Sequence, residues 1–265
     1  MLVQPVQIVK HSALNAFADL RAIYTWKTWT FGWLGRMLAQ VTFFVMLGHL
    51  VGGPRQASYL AVGNALMTCA IESLVVIASS SWERRAGTLP LLAAAPAKPV
   101  WVFVGRSIHW PVSGAGTSLV ALFALGPAFG LRWSAGQVPV AVCLVLLTAL
   151  TTYFVGLFLA ALVLNADGMR NVVSNGAYLI MMAVCGVQVP VDYWPAWVGR
   201  LAECVPLTHL LRALRSLLDG SSLATVGTQA AGGLLVGLLW LGAAHLAFAS
   251  LLKRSRRAGT LDFTS

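Results

Sequence analysis

Apolar runs long enough to cross a bilayer dominate the chain, separated by short polar or charged connections. A membrane span needs roughly 20 mostly apolar residues to traverse the hydrocarbon core. Six stretches meet that length: approximately Trp33–Gly53, Ala57–Ser81, Ser107–Leu131, Val138–Leu164, Asn171–Val191 and Thr225–Leu252. The fourth carries no charged residue, and the sixth has only His245 as a titratable group. The pattern predicts an all-α polytopic membrane protein with six transmembrane helices in a single transmembrane domain over 1–265. Residues 1–32 precede the first span, 82–99 join the second to the third, and 192–224 join the fifth to the sixth.

Two further segments are amphipathic without being long enough to cross. Ala13, Phe17, Leu20 and Tyr24 recur at spacings of four, three and four, which places them on one helical face. Lys10, His11, Asn15 and Asp19 occupy other faces, and Trp26, Trp29 and Trp33 follow where the first span begins. This predicts an N-terminal interfacial helix with tryptophans at headgroup depth. Its interrupted apolar positions and the lack of a short apolar core before a small-residue cleavage site exclude a cleavable signal peptide. In the 192–224 region, bounded by Pro190 and broken by Pro195 and Pro206, a second stripe runs through Leu207, Leu210, Leu211, Leu214, Leu217 and Leu218. Arg212 and Arg215 lie off that stripe, and Gly220 follows as a helix stop. The expectation is a short amphipathic helix that lies on, or dips into, the outer leaflet.

Composition agrees with the pattern. The chain is 58% hydrophobic and 10% charged, against about a quarter charged in soluble domains, so a water-facing surface could not be covered. The net charge of +10 falls in separate clusters between uncharged runs. Anionic headgroups and the positive-inside rule account for that arrangement better than nucleic acid does. With the N-terminus inside, the cytosolic parts hold Lys10, Arg21, Lys27, Arg36, Arg84, Arg85, Lys98, Arg106, Arg170, Lys253, Arg254, Arg256 and Arg257. The outer parts hold Arg55, Arg132, Arg200, Arg212 and Arg215. Thirteen against five places both termini in the cytosol. The Lys253–Arg257 run then anchors the last span at anionic lipid. Cys69, Cys143, Cys185 and Cys204 have no CxxC spacing and read as small apolar fillers rather than a redox or metal framework.

One connection stands out chemically. Between the second and third spans the chain reads Trp82-Glu83-Arg84-Arg85-Ala86-Gly87-Thr88-Leu89-Pro90-Leu91-Leu92, and continues to Pro96, Lys98 and Pro99. Glu83 and the two arginines put donors and acceptors in a small space, and Gly87 permits a tight bend. Thr88 can cap the apolar stretch Leu89–Ala95, with Pro90 in its first turn. A short helix across the membrane surface, gripped at one end by charge, suits force transfer to a soluble partner.

Glu83, Gly87-Thr88-Leu89, Leu91-Leu92 and Pro96 together resemble the cytosolic loop of the type-2 ABC transporter permeases, the six-span subunits of bacterial exporters. The resemblance extends over nearly the whole chain, taking in the N-terminal helix, the spans and the outer hairpin. Pro90 departs from it, since a charged or polar residue is more usual there. The resemblance implies a permease that moves a hydrophobic drug, natural product, or lipid- or glycan-linked cargo outward across the bacterial plasma (inner) membrane. It implies two nucleotide-binding ATPase subunits as partners, with ATP and Mg held there and no cofactor on this chain. It also implies a second permease, identical or paralogous. Glu83, Arg84, Arg85, Gly87, Thr88 and Leu89 would couple the permease to the ATPase. The sequence has no G-x-x-x-x-G-K-[ST] phosphate loop, consistent with ATP hydrolysis by a separate subunit rather than an enzyme here.

Polar residues within the spans are the other candidates. Glu72 is the acidic residue well inside a span, about 15 Å from its inner end at ~1.5 Å per residue. Such a carboxyl is costly and faces protein or a watery cavity. Either it lines a transport path and pairs with a cation such as Arg106, or it is held by a neighbouring helix for packing. Asn64 could share its face, and His109 lies near the inner leaflet. Asn64, Glu72, Arg106 and His109 are therefore the candidate path residues, and no metal set is formed around the histidines. An ion-coupled carrier using Glu72 is the alternative reading. A membrane serine hydrolase through Ser113 and His245 is weaker, because Pro111 stands where that pattern wants glycine. Asp167-Gly168-Met169-Arg170 reads as a tight turn or a second, smaller ATPase contact.

Overall fold

The computed structural model describes residues 3–23, 25–79, 99–163 and 168–258. Among them every regular element is helical. In chain order these are α1 (Val3–Ile23), a π-helical turn (Thr28–Leu34), α2 (Gly35–Ser79), α3 (Pro99–Ser107), α4 (His109–Val120), a π-helical turn (Ala121–Leu125) and a 3-10 turn (Gly126–Phe129), α5 (Gln137–Val163), α6 (Met169–Val184), a 3-10 turn (Val191–Tyr193), α7 (Ala196–Glu203), α8 (Pro206–Leu218) and α9 (Leu223–Ala258). Among the described residues, four helical runs are long and apolar enough to cross a membrane: Thr28–Ala78, Phe103–Phe129, Gln137–Val163 and Leu223–Ser250.

The first of these runs is bent. Gly53 adopts φ 73° and ψ −162°, outside the helical region, a backbone state that only glycine takes without strain. Pro54 follows and donates no N–H, so it begins the second arm without losing a helical bond. The bend is sharp: a Cβ on Gly48 would lie 3.2 Å from the Ala57 Cα, nine residues away. The two arms thus fold back on each other, which is the physical form of the first two predicted apolar stretches.

The second arm of α2 and α5 form the centre. Cys69 faces the Val145 carbonyl, and Gly156 abuts Val76 and the Ser73 carbonyl, so the two helices run parallel. On the other side a Cβ on Gly114 would come within 2.8 Å of the Cys69 carbonyl oxygen, which brings α4 against α2 backbone to backbone. Lipid tails are as apolar as leucine, so such close contact at small residues, rather than exclusion from water, holds membrane helices together. The second long run is broken at Ile108 between α3 and α4. Pro111 is the cause, because it lacks the N–H that would bond Ser107 and its ring crowds that carbonyl.

Two expectations change in the structure. The stretch Asn171–Val191 is not one full-length helix: α6 stops at Val184, and Cys185–Val189 turn inward with Gly186 at φ 84°. Non-helical backbone is tolerated at such depth only where protein supplies its hydrogen bonds. Tyr59 Oη donates to the Gly186 carbonyl at 2.7 Å, and Asn64 and Gln188 join through their amides at 2.9 Å. The outer amphipathic helix also differs. Its leucines 207, 210, 211 and 214 are fully buried, because α8 packs on α9, α5 and α2 rather than on lipid. Its ends are as the sequence predicts, with Pro206 in the first turn and Gly220 at φ 75° beyond the last. The Ser221 amide closes that end on the Ser216 carbonyl at 2.9 Å.

The α7–α8 corner is stapled by polar contacts. Thr208 Oγ1 donates to the Ala202 carbonyl, Trp240 Nε1 to the Cys204 carbonyl, and Arg212 to the Glu203 carboxylate. At the other end of the molecule α1 lies against α3, where Gly105 meets Val9 and Ser12. Among the α1 residues whose burial is described, Ala16 is the buried one, while Phe17 is half exposed and touches His109 edge-on. The protein-facing side is therefore centred one residue before Phe17 in the predicted stripe.

Leu210→Ala should lower unfolding stability by about 2–5 kcal/mol, the range for a leucine deleted from a packed site. Leu239→Ala, on the exposed face of α9, should leave the melting temperature in detergent within ~2 °C. The Arg212 guanidinium holds the Glu203 carboxyl below its usual range, against an opposing effect of burial. A carboxyl depressed in the folded state stabilises above its unfolded value, about pH 4.3, and loses that contribution as pH falls through the lowered value. Melting temperature measured on descending pH should therefore fall less for Arg212→Gln than for the parent chain.

Candidate functional site

The candidate coupling residues Glu83, Arg84, Arg85, Gly87, Thr88 and Leu89 lie outside the described residues. The helices flanking them, ending at Ser79 and starting at Pro99, are described. Pro99–Ser107 is the helix that carries α1. The second turn at this end, before α6, has Gly168 at φ 84° and Arg170 buried, while Asp167 lies outside the described residues.

Glu72 sits on the second arm of α2, fully buried where that arm crosses α4. Gly114 faces it: a Cβ added there would lie 3.0 Å from the Glu72 Cβ. Ser113, Thr117 and Trp33 surround the carboxyl, with Arg36 as a nearby cation that forms no ion pair with it. Both carboxyl oxygens nevertheless lack a hydrogen-bond partner, as do Thr117 Oγ1 and Trp33 Nε1. Around this cluster Trp29 Nε1 donates to Ser113 Oγ at 3.4 Å, Trp33 packs on Trp110, and the Arg36 guanidinium lies 5.1 Å from the Trp33 ring centre. A buried carboxyl with donors near but unengaged is a reservoir of unused hydrogen-bonding capacity. It suits a water, a proton or a small shift of α4 against α2.

The other three path candidates do not converge on it. Asn64 is committed to Gln188 and to the Leu60 carbonyl, and so braces the inward turn after α6. His109 is buried against Trp110 and Phe17. Arg106 is half-buried at the end of α3, three residues before His109. These two lie one to two turns from the part of α4 that faces Glu72. His245 is on the exposed side of α9, whereas Ser113 is turned to Trp29 and Glu72, so no serine–histidine pair forms.

At the opposite end, Arg212 is held by Glu203 and His209 lies 3.3 Å from the same carboxylate. Arg215 stacks over the Tyr59 ring at 3.5 Å and donates to the Tyr59 carbonyl at 3.2 Å. The sequence places Trp33 at headgroup depth and Arg36 among the cytosolic cations without linking either to Glu72, and it gives Tyr59 and Gln188 no role. Arg36 and Trp33 are one turn apart at the start of a span, a spacing that places them on one face. Tyr59 and Gln188 gain their roles from contacts across more than 120 residues of chain, for which no local signal exists.

The comparisons with known proteins agree with this architecture. Residues 15–218 match the family model described as ABC-2 type transporter, well over half of the 265 residues. No curated protein matches the chain. The family supplies membrane permease components of ABC transporters, which generally work with an ABC ATPase partner. A helical membrane protein matched over that length belongs to the ABC-2 type transporter family.

Proposed function

We propose that this chain is the permease subunit of an ATP-driven exporter in a bacterial inner membrane. It crosses six times: through the two arms of the bent first run, through Phe103–Phe129, α5 and α9, and through α6 completed by the protein-lined turn at Cys185–Val189. Both termini are cytosolic. Two permeases, alike or paralogous, work with two ATPase subunits, which hold ATP and Mg. The cargo is a hydrophobic drug, a natural product, or a lipid- or glycan-linked molecule moved outward.

The observation that carries this reading is the Glu83 and Gly87-Thr88-Leu89 pattern within a chain whose family match covers it. Its flanking helices reach α1 on one side and the Glu72 crossing on the other, so motion delivered there would act on the α2–α4 contact. The test is co-purification with a nucleotide-binding subunit encoded beside it, followed by transport in vesicles. Glu83→Ala and Gly87→Trp are expected to weaken assembly or cut ATP-driven transport by about tenfold or more, on the order of 1.4 kcal/mol. Assembly and transport unchanged in both would sink the coupling role.

A second reading, an ion-coupled carrier, is favoured only by the unengaged carboxyl of Glu72. The two readings part on one variant. For the exporter, Glu72→Gln retains ATP-dependent transport within about threefold, since a neutral isostere fits the same crossing, and uncouplers have no direct effect. Transport abolished by Glu72→Gln and by uncouplers, yet indifferent to ATP, would establish the carrier instead.

A further inference from the structure

Three turns meet at the end of the molecule opposite α1: the Gly53–Pro54 bend, the loop at Gly130–Arg132, and the C-terminal end of α8. They enclose a half-open cavity of about 740 Å³. Arg55, Arg132 and Arg215 each come from a different one of these elements and all line it, against a single lining carboxylate, Asp219. Arg55 and Arg132 are exposed at its mouth, and none of the three forms an ion pair among the described residues. Arg215 is the deepest. The Tyr59 ring covers its guanidinium face and the Tyr59 carbonyl takes one of its donors, while its Nε remains buried without a partner. The remaining wall is apolar, with Val62, Leu131 and Leu218.

Like charges gathered round one cavity repel, and a partly buried guanidinium costs free energy that stacking on a single tyrosine offsets only in part. A purely structural role explains Arg215 against Tyr59. It does not explain two further arginines converging from separate loops with no acidic partner. An anion in the cavity removes the repulsion and uses the free donors. Arginine forks match the oxygens of a phosphate in pairs. The cavity is larger than a bare phosphate, has an apolar side, and lies where membrane helices turn, at headgroup depth.

We propose that this cavity binds the phosphate-bearing headgroup of an anionic lipid, with Arg55, Arg132 and Arg215 as its ligands. Its placement in the outer leaflet rests on the orientation proposed above; the binding chemistry does not. The arginines hold the phosphodiester, and the apolar wall takes the glycerol and the first methylenes.

The experiment uses the whole chain in detergent, followed by native mass spectrometry with phosphatidylglycerol, phosphatidylcholine, glycerol 3-phosphate and inorganic phosphate as separate probes. Phosphatidylglycerol is expected to bind about tenfold more tightly than phosphatidylcholine, and the two soluble phosphates far more weakly. The double variant Arg55→Gln/Arg132→Gln, both exposed positions, should lose about tenfold in phosphatidylglycerol affinity at unchanged melting temperature. Arg215→Lys keeps the charge without the fork and should lose less. Equal binding of the two lipids, or a double variant that holds phosphatidylglycerol as the parent does, would overturn the proposal. Soluble phosphate binding as tightly as the lipid would overturn the lipid as its source. None of these measurements needs the ATPase, so failure here leaves the exporter reading intact. Sidedness is read separately, by impermeant maleimide on Arg132→Cys after serine replaces the four native cysteines. Labelling from the cytosolic side alone would overturn the outer-leaflet placement.

Discussion

Hydrocarbon offers the backbone no hydrogen-bond partners, and the rest of this structure follows from that constraint. Continuous helices answer it most simply, and the described residues are helical almost wherever the chain is deep. The informative places are those where the helix stops. At Gly53 the chain reverses with a glycine dihedral and a proline that needs no partner. At Cys185–Val189 the backbone leaves the helix while still enclosed; Tyr59 donates to the Gly186 carbonyl, and the Asn64–Gln188 side-chain pair ties the turn to α2. Pro111 breaks the second long run instead of ending it, and at the break Ser107 Oγ donates to the Phe103 carbonyl at 2.7 Å.

With no hydrophobic force between helices inside lipid, contact quality decides which helices pair. Small residues on α4 and α5 let both helices approach the second arm of α2 until backbone nearly meets backbone. Substituting a larger side chain at Gly114 would press on the Cys69 carbonyl, which cannot swing away as a side chain can. That crossing is also where Glu72 is enclosed. A rigid contact and an unengaged carboxyl therefore share one place, on the helix that leads to the candidate coupling segment. The opposite end is arranged differently, with its cations partly satisfied by Glu203 and Tyr59 and partly left facing a cavity.

Helical character, membrane residence, the Gly220 stop, the Pro206 start and the family itself were all legible in the chain. Each is local: a run of apolar residues, a left-handed glycine, a proline in a first turn, a short motif between two spans. The length of an apolar stretch was a poorer guide to helix length, as α6 shows. Its apolar residues continue past Val184, but the partner groups of Tyr59 and Gln188 make a turn there possible. Periodicity likewise found the leucine stripe of α8 and could not tell what faces it, since lipid and packed helices are equally apolar.

What the sequence determined by itself, then, was which segments leave water and which local signals start or stop them, because hydrophobicity and backbone preference act within a few residues. Only the tertiary structure decided that Trp33, Ser113 and Thr117, rather than Asn64, surround Glu72, and that Asn64 braces a turn. It also decided that α8 is buried, and that three arginines far apart in the chain face one cavity. Those facts depend on helices meeting at particular depths and rotations. Side-chain volume at the crossings sets that geometry, and no single segment of sequence contains it.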